Sequence, residues 1–376
     1  MTSPHQRARE ISTRVAFLAA GIGMAAWAPL VPFAKARAGL DDGTLGVLLL
    51  ALGAGSMVAM PLAGALASRM GCRPVLLLSF VVASLMLPAL ATLSSPLLLA
   101  LALLVFGASI GSADCVMNMQ AVIVERDSGR PMMSGFHGLY SLGGIVGAGG
   151  VSLLLWAGAT PLVATLAAVG LLLAATAYAS PHFLRHASRG DGPAFAMPHG
   201  TVLFIGVLCF ILFLTEGSVL DWSAVFLTAE RGMDPAHGGL GYAAFSATMT
   251  AGRLTGDAVV RRLGGIPVIM GGALCAAAGL GLATLVPSGA VALLGYALVG
   301  LGCSNIVPVL FTATGRQTAM PEHIAIPAVT TLGYAGILAG PAGIGLLAHA
   351  TSLPFAFLAV VVLLLGVAAS ARVLKV

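Results

Sequence analysis

The chain has 376 residues, of which 59% are hydrophobic and only 8% are charged. A soluble domain normally carries about 25% charged residues, so the composition excludes a soluble enzyme or binding module and predicts an all-α membrane protein. The net charge of +5 does not indicate nucleic-acid binding, because the basic residues cluster at the ends of apolar segments and form no continuous stripe.

Apolar segments follow one another along almost the whole chain, and each is long enough to cross a bilayer, which takes about 20 helical residues. The first segment is too long for the apolar part of a secretory signal, so we interpret it as a span. The pattern predicts twelve spans, at 12–34, 43–67, 74–93, 97–123, 132–157, 160–180, 201–228, 238–260, 266–286, 289–313, 324–349 and 354–372.

Basic residues are distributed unequally between the two sides of a twelve-span arrangement. Of the 18 Lys and Arg residues, only Lys35, Arg37 and Arg231 fall on the side opposite the termini. Cytoplasmic loops carry the excess of positive charge. We therefore expect a multi-pass protein of the inner (plasma) membrane with both termini in the cytoplasm.

A polar connection at 181–200 lies near the middle of the chain and contains Pro, Gly and basic residues. We interpret it as a cytoplasmic linker between two pseudo-symmetric six-helix halves, 1–180 and 201–376. The halves also resemble each other, since SLGGIVGAG at 141–149 is similar to TLGYAGILAGP at 331–341. Repeats of this kind place a substrate site between the halves, near the middle of the membrane.

Four carboxyl and imidazole groups lie inside stretches that are otherwise apolar, namely Asp114, His137, Glu216 and Asp221. A charge at the centre of a bilayer costs about 2.5 to 3.5 kcal/mol on insertion scales. Such side chains therefore face a polar interior, where they serve solutes or protons. This pattern favours a transporter over a passive membrane scaffold.

The predicted span 97–123 carries Gly107, Gly111, Asp114 and Asn118 at helical spacing on one face. The glycines allow close packing, and the same face presents a carboxyl and an amide group. Asp114 is the first candidate for proton coupling and Asn118 a candidate for the substrate cavity. The alternative is a carboxylate that only locks two helices together.

The next span carries His137 and Tyr140 on one face. Histidine changes charge near physiological pH and can relay protons, so His137 is a further coupling candidate and Tyr140 a cavity candidate. A structural hydrogen-bond donor is the alternative for His137.

In the span 201–228, Glu216 lies near the middle of the bilayer and Asp221 about 7 Å farther outward. Their five-residue separation turns them about 140° apart, so we expect one of them to line the cavity. Glu216 is the second coupling candidate, and Asp221 and Trp222 are cavity candidates. Trp222 is equally consistent with an anchor at the membrane interface.

Two further patterns concern helix mechanics. Arg253 and Asp257 are four residues apart near the cytoplasmic end of a span, where an ion pair could close one conformation. Asn305 precedes Pro308, which removes a backbone donor and predicts a kink. Tyr334 precedes a glycine-rich run, and with Asn305 completes the cavity candidates.

The sequence lacks several known chemical signatures. It contains no P-loop and no HExxH, and its GxSxG match, GASIG at 107–111, lies inside a predicted span and not on a strand-to-helix turn. We therefore expect neither an enzyme nor a cofactor or metal site. The cysteines are scattered singly and are interpreted as apolar packing residues, at Cys72, Cys115, Cys209, Cys275 and Cys303.

GALASRMGCR at 64–73 and GRLTGDAVVRRLGG at 252–265 resemble the two signature loops of the major facilitator superfamily. Ser68 departs from that pattern, since the family usually has an aspartate there. The resemblance implies the major facilitator fold and transport by alternating access. It also implies a gating role for Gly64, Arg69, Gly71, Arg73, Arg253, Asp257 and Arg262.

Longer stretches, including 112–126, 134–148 and 216–227, are similar to bacterial inner-membrane transporters of the YbjJ-like branch. The similarity implies a secondary transporter of a small molecule. From the carboxyl groups within the spans we expect it to be proton-coupled, and we expect a monomer. A membrane receptor or sensor is the alternative from another class. Within transporters, uptake by symport and efflux by antiport remain open.

Overall fold

A computed structural model describes residues 3–187, 196–234 and 237–374. Residues 188–195, in the predicted linker, lie outside this description, as do the basic residues Arg189 and Lys375. The described residues contain no β-strand. The helices are α1 (Pro4–Ala25), α2 (Val31–Ala38), α3 (Asp42–Met70), α4 (Cys72–Thr92), α5 (Pro96–Ser128), α6 (Met133–Trp156), α7 (Pro161–Ala179), α8 (Gly200–Ala229), α9 (Leu240–Leu263), α10 (Gly265–Leu285), α11 (Gly289–Cys303), α12 (Ile306–Arg316), α13 (Glu322–Ala350) and α14 (Leu353–Ser370).

Within the described residues, eleven helical segments are long and apolar enough to cross a membrane. The remaining predicted span corresponds to α9, whose 24 residues reach about 36 Å at 1.5 Å per residue. Four charged side chains lie in the second half of α9, namely Arg253, Asp257, Arg261 and Arg262. The prediction of an all-α membrane protein with about twelve long helices is confirmed.

Side-chain caps define several of the helix boundaries. Ser95, Thr160 and Ser352 each accept a hydrogen bond from the backbone N–H three residues later, at the starts of α5, α7 and α14. A proline occupies the first turn of each of these helices, where its missing N–H costs nothing. These short Ser/Thr–Pro signals separate apolar runs that would otherwise merge.

Two predicted spans are interrupted helices. The first consists of α1, a 3-10 turn at Ala28–Leu30 and α2. The tenth consists of α11 and α12, which are separated at Ser304 and Asn305. The predicted kink near Pro308 is thus a full break in the helix.

Glycines allow α3 and α5 to approach until their backbones touch. A methyl group on Gly107 would overlap the carbonyl oxygen of Leu52, and one on Gly55 would overlap that of Leu104. The Ser56 hydroxyl donates to the Gly107 carbonyl at 2.8 Å, across the two helices. Gly107 and Gly111 therefore face α3. Small residues are typical of such contacts, because helices in a membrane associate through close packing and not through the hydrophobic effect.

The chain forms two compact units. Unit 1 comprises Met1–Gly129, Leu139–Ala196 and Pro321–Pro327, and unit 2 comprises Arg130–Gly138, Met197–Met320 and Ala328–Val376. The beginning of α6 therefore groups with the later part of the sequence, and the beginning of α13 groups with the earlier part. The predicted halves 1–180 and 201–376 do not include this exchange of short segments and stay a prediction.

Candidate transport and coupling site

A buried ion pair joins α8 to α9 within unit 2. Arg253 Nη2 lies 3.4 Å from Glu216 Oε1, and the two side chains are only 8% and 14% exposed. The sequence assigns Glu216 to proton coupling and Arg253 to gating. The structure brings the two residues together, so that a coupling step and a gating step can share one contact.

Arg253 also reaches the break between α11 and α12. Its Nε donates to the Ser304 carbonyl oxygen at 3.3 Å. In a continuous helix that carbonyl would accept the N–H of residue 308, but Pro308 has none. The proline thus frees a carbonyl group, and the guanidinium group of Arg253 binds it. One buried side chain thereby connects α8, α9 and the interrupted helix.

Asn305 is held at the same break. Its Nδ2 donates to the Gly252 carbonyl at 3.1 Å and to Ser304 Oγ at 3.0 Å. A methyl group at Gly256 would overlap the amide group of Asn305. These contacts fix Asn305 against the backbone of α9, which is a positioning role. Its predicted place in a substrate cavity stays a prediction.

Asp257 binds the beginning of α6, which belongs to unit 2. The Gly135 N–H donates to Asp257 Oδ1 at 2.9 Å. The first N–H groups of a helix lack partners within that helix, and a carboxylate there also interacts favourably with the helix dipole. Arg253 and Asp257, the predicted latch, therefore each contact another helix.

His137 lies in the same short segment of α6. It is 8% exposed, its ring centroid is 5.8 Å from that of Phe311, and it lies close enough to Arg253 for an electrostatic interaction. A methyl group on the next residue, Gly138, would approach the Leu254 nitrogen to 3.1 Å. His137 is thus buried beside the Glu216–Arg253 pair, and its role as a relay stays a prediction.

The second half of α8 contacts α13. Trp222 Nε1 donates to the Pro341 carbonyl oxygen at 3.1 Å, while Asp221 is exposed. Farther along the same interface, the Phe213 and Tyr334 rings are 6.2 Å apart. The Trp222 side chain therefore joins α8 to α13. The two carboxyl groups of α8 differ in burial, since Glu216 is largely buried and Asp221 is exposed.

Unit 1 contains the other carboxyl candidate. Asn118 Nδ2 donates to the Asp114 backbone carbonyl at 2.9 Å and lies 3.5 Å from Asp114 Oδ1. Asn118 is 1% exposed and Asp114 is half-buried. In the same unit Tyr140 is half-buried, where α6 packs so closely on α1 that a methyl group at Gly21 would overlap the Tyr140 carbonyl oxygen.

The model of the Major Facilitator Superfamily matches residues 15–325 of the chain. The chain belongs to the Major Facilitator Superfamily. It is 56% identical over 378 residues to an uncharacterized MFS-type transporter of Yersinia pestis, with 99% of this chain and 98% of that protein covered. It is also 31% identical to an uncharacterized transporter of Sinorhizobium fredii, with 96% of each covered.

Solved structures of superfamily members have the same fold. The Escherichia coli fucose:proton symporter superposes with a TM-score of 0.82 at 14% identity, covering 97% of this chain and 98% of that one. The human organic anion transporter MFSD10 gives 0.78 at 18% identity, covering 98% and 100%. At these identities the likeness concerns the fold alone. Assignment to the YbjJ-like branch stays a prediction.

The first signature loop of this superfamily member lies in unit 1. Gly64 packs against the Pro327 ring, and Gly71 has φ 88° and contacts the Arg185 backbone. The Arg73 N–H donates to the Leu184 carbonyl at 2.8 Å. Ser68, which replaces the usual aspartate, donates to the Ala65 carbonyl of its own helix. Arg69 and, in the second loop, Arg262 are exposed.

Sequence reasoning missed a second ion pair of the superfamily fold. Arg126 Nη1 lies 2.7 Å from Glu322 Oε2, which joins the end of α5 to the first turn of α13 within unit 1. The residues are 196 positions apart, and no spacing rule connects residues at that separation. The sequence shows only a charged residue near the end of one long span and another at the start of a second span.

Proposed function

We propose that this superfamily member is a proton-coupled secondary transporter that moves a small solute across the inner membrane by alternating access. The observation that carries the proposal is the buried Glu216–Arg253 pair and its link to the helix break at Ser304. A charge at membrane depth is costly and marks an ion or substrate pathway. Arg253 binds both the Glu216 carboxylate and the Ser304 carbonyl at the helix break. Protonation of Glu216 can therefore be linked to movement of the broken helix.

The coupling step follows from the charges. When Glu216 is ionised, its attraction to Arg253 holds α8 against α9. When Glu216 takes up a proton, that attraction is lost, while Arg253 keeps its contact with the Ser304 carbonyl. Protonation thus changes the relative free energies of two helix arrangements, which is the requirement for a shift between conformations.

Asp114 is the alternative coupling carboxyl, because Asn118 orients it from within the same helix. His137 beside Arg253 completes the set of coupling groups. Uptake by proton symport and efflux by proton antiport use the same parts, and the direction depends only on which conformation each ligand prefers. A receptor or sensor would bind the same solute without moving it. Transport rather than catalysis is the activity that we propose.

The test of transport begins with a thermal-shift screen of the purified protein against metabolites. A ligand that binds only the native state raises its apparent stability. The labelled ligand is then used in counterflow with proteoliposomes. A transporter accumulates the label transiently against an excess of unlabelled solute inside, whereas a receptor binds the ligand and gives no counterflow.

We expect both termini in the cytoplasm, because the basic residues are concentrated on that side of the membrane. Alkaline phosphatase fused after the last residue should be inactive, and a fluorescent protein fused there should fluoresce. The matched control is phosphatase fused after Arg231, on the opposite side, which should be active. Phosphatase activity of the C-terminal fusion would contradict the proposed orientation.

Asp257→Ala should loosen the beginning of α6, because it removes the acceptor of the Gly135 N–H. A hydrogen bond to a charged group contributes about 1.5 to 3 kcal/mol. The equilibrium constant for opening of the beginning of α6 should therefore rise about tenfold or more. Alkylation of a cysteine placed at Ser134, in a background without the native cysteines, measures this opening. Asp257→Asn keeps an acceptor oxygen and is the matched control. Unchanged labelling together with lost expression would indicate a purely structural contact.

A further inference from the structure

A cavity rich in basic side chains lies in unit 1, where α1 begins and α7 ends. Its volume is about 340 Å³, and it lies against the buried Phe183 and Leu184. We call it the basic cavity. Two guanidinium and three imidazole groups line it, from His5, Arg9, His182, Arg185 and His186. All five side chains are exposed, so a ligand can reach them from the end of the helices.

An apolar cleft lies beside the basic cavity, between α1 and α7. It has a volume of about 150 Å³ and is lined by Ala8, Ile11, Ser12, Tyr178 and His182. Ile11 is 37% exposed and Tyr178 67% exposed. His182 lines both spaces, so the cleft and the cavity are neighbours. The Ser12 hydroxyl donates to the Ala179 carbonyl at 2.8 Å, which fixes the two helices together below the cleft.

We propose that the basic cavity and the apolar cleft together bind one anionic phospholipid. Arginine binds phosphate oxygens with paired N–H donors, and Arg9 and Arg185 supply two such groups in the basic cavity beside the apolar cleft. Basic pockets between membrane helices are sites for anionic lipid headgroups. The imidazole N–H groups of the three histidines can donate further hydrogen bonds to the phosphate oxygens.

The distribution of charge places the phosphate within this site. A neighbouring cavity of about 520 Å³ shares His5 and Arg9 but is also lined by Asp127. The carboxylate of Asp127 repels an anion on that side. The lipid phosphate therefore lies toward Arg185 and His186, and the acyl chain extends past Tyr178.

A cavity of similar size in unit 2 provides a comparison. It measures about 310 Å³ and is lined by the beginning of α8 and the end of α12. Among the described residues, its lining includes one basic side chain, Arg316, and no histidine. The cluster of five basic groups therefore distinguishes the cavity of unit 1 from the described lining of this one.

The lipid would also stabilise the first signature loop. Leu184, in the segment between His182 and Arg185, donates to Gln120 Oε1 at 3.0 Å and accepts from the Arg73 N–H at 2.8 Å. Gln120 Nε2 in turn donates to Thr13 Oγ1 at 3.0 Å. Lipid contacts to Arg185 and His186 thus fix a segment that is hydrogen-bonded to α1, α4 and α5.

Native mass spectrometry of the purified full-length transporter tests the site by titration with dioleoyl phosphatidylglycerol. One lipid should bind with saturation, and Arg9→Gln/Arg185→Gln should weaken this binding about 30-fold, from the usual contribution of two basic side chains. Arg316→Gln, in the comparison cavity, should leave it unchanged. Equal binding by the double variant, or equal loss in Arg316→Gln, would overturn the proposal. Arg185→Gln alone serves as the second variant if the double variant does not fold, and it should weaken binding about fivefold.

Further ligands separate a phospholipid from other anions. Dioleoyl phosphatidylcholine should bind more weakly than phosphatidylglycerol, because its headgroup carries no net charge. Inorganic phosphate should neither raise the melting temperature nor displace the lipid; if it did both, the site would be a free-phosphate site and the lipid assignment would be wrong. Tyr178→Ala should weaken binding of the dioleoyl lipid while leaving that of dihexanoyl phosphatidylglycerol unchanged. An equal effect of Tyr178→Ala on both lipids would show that the apolar cleft does not bind the acyl chain.

Discussion

Glu216→Gln is expected to abolish proton-driven accumulation of the substrate and to preserve exchange of substrate across a membrane without a gradient. Glutamine has the shape of protonated glutamate, so it fixes the state in which the attraction to Arg253, 3.4 Å away, is absent. The protein can still change conformation, but the change no longer depends on proton binding. Uptake into proteoliposomes under an imposed pH gradient, compared with exchange at equal pH, measures both activities.

Two further variants serve as a control and as a test of the alternative coupling group. Glu230→Gln removes an exposed carboxyl group just after the end of α8 and should accumulate substrate like the unaltered protein. Asp114→Asn tests the carboxyl group of unit 1, which Asn118 orients. Loss of accumulation in Asp114→Asn, with normal accumulation in Glu216→Gln, would transfer the coupling role to α5.

Much of the fold follows from the sequence because lipid imposes a simple rule. Backbone polar groups in the membrane must be hydrogen-bonded within the protein, and a helix satisfies nearly all of its own, so long apolar runs predict spans with few alternatives. The Ser/Thr–Pro caps and the positive-φ glycine Gly71 mark where those runs end. Pro308 likewise predicts that the tenth span cannot be one regular helix. Each of these signals depends on a few neighbouring residues, so it can be recognised from the sequence alone.

The contacts within the site could not be predicted in the same way. Helical periodicity tells which residues share a face, but it does not tell which neighbouring helix that face meets. Gly107 shares a stripe with Asp114, yet it packs against α3. Arg253 lies four residues from Asp257, yet it also binds Glu216 on another helix. Contacts between distant residues depend on how the helices are arranged, and a single sequence carries no direct record of that arrangement.

Arg253→Met is expected to lower the free energy of unfolding by about 3 to 5 kcal/mol, the usual cost of removing one partner of a buried ion pair. The variant leaves the Glu216 carboxylate in a largely buried position without its positive partner. It also leaves the Ser304 carbonyl without the donor that replaced the missing N–H of Pro308. Denaturant titration of the detergent-solubilised protein, followed by helical circular dichroism, measures the loss.

Glu216→Met/Arg253→Met should be more stable than Arg253→Met alone, because methionine pairs fill the space without a buried charge. The recovery should be incomplete, since the Ser304 carbonyl stays unsatisfied at a cost of about 1 to 3 kcal/mol. A double-mutant cycle gives the coupling energy between the two side chains. If the double variant were no more stable than Arg253→Met, the two residues would not act as a pair. A double variant with recovered stability and without proton-driven accumulation would show that the pair serves coupling, because stability alone would then not account for its presence in the membrane.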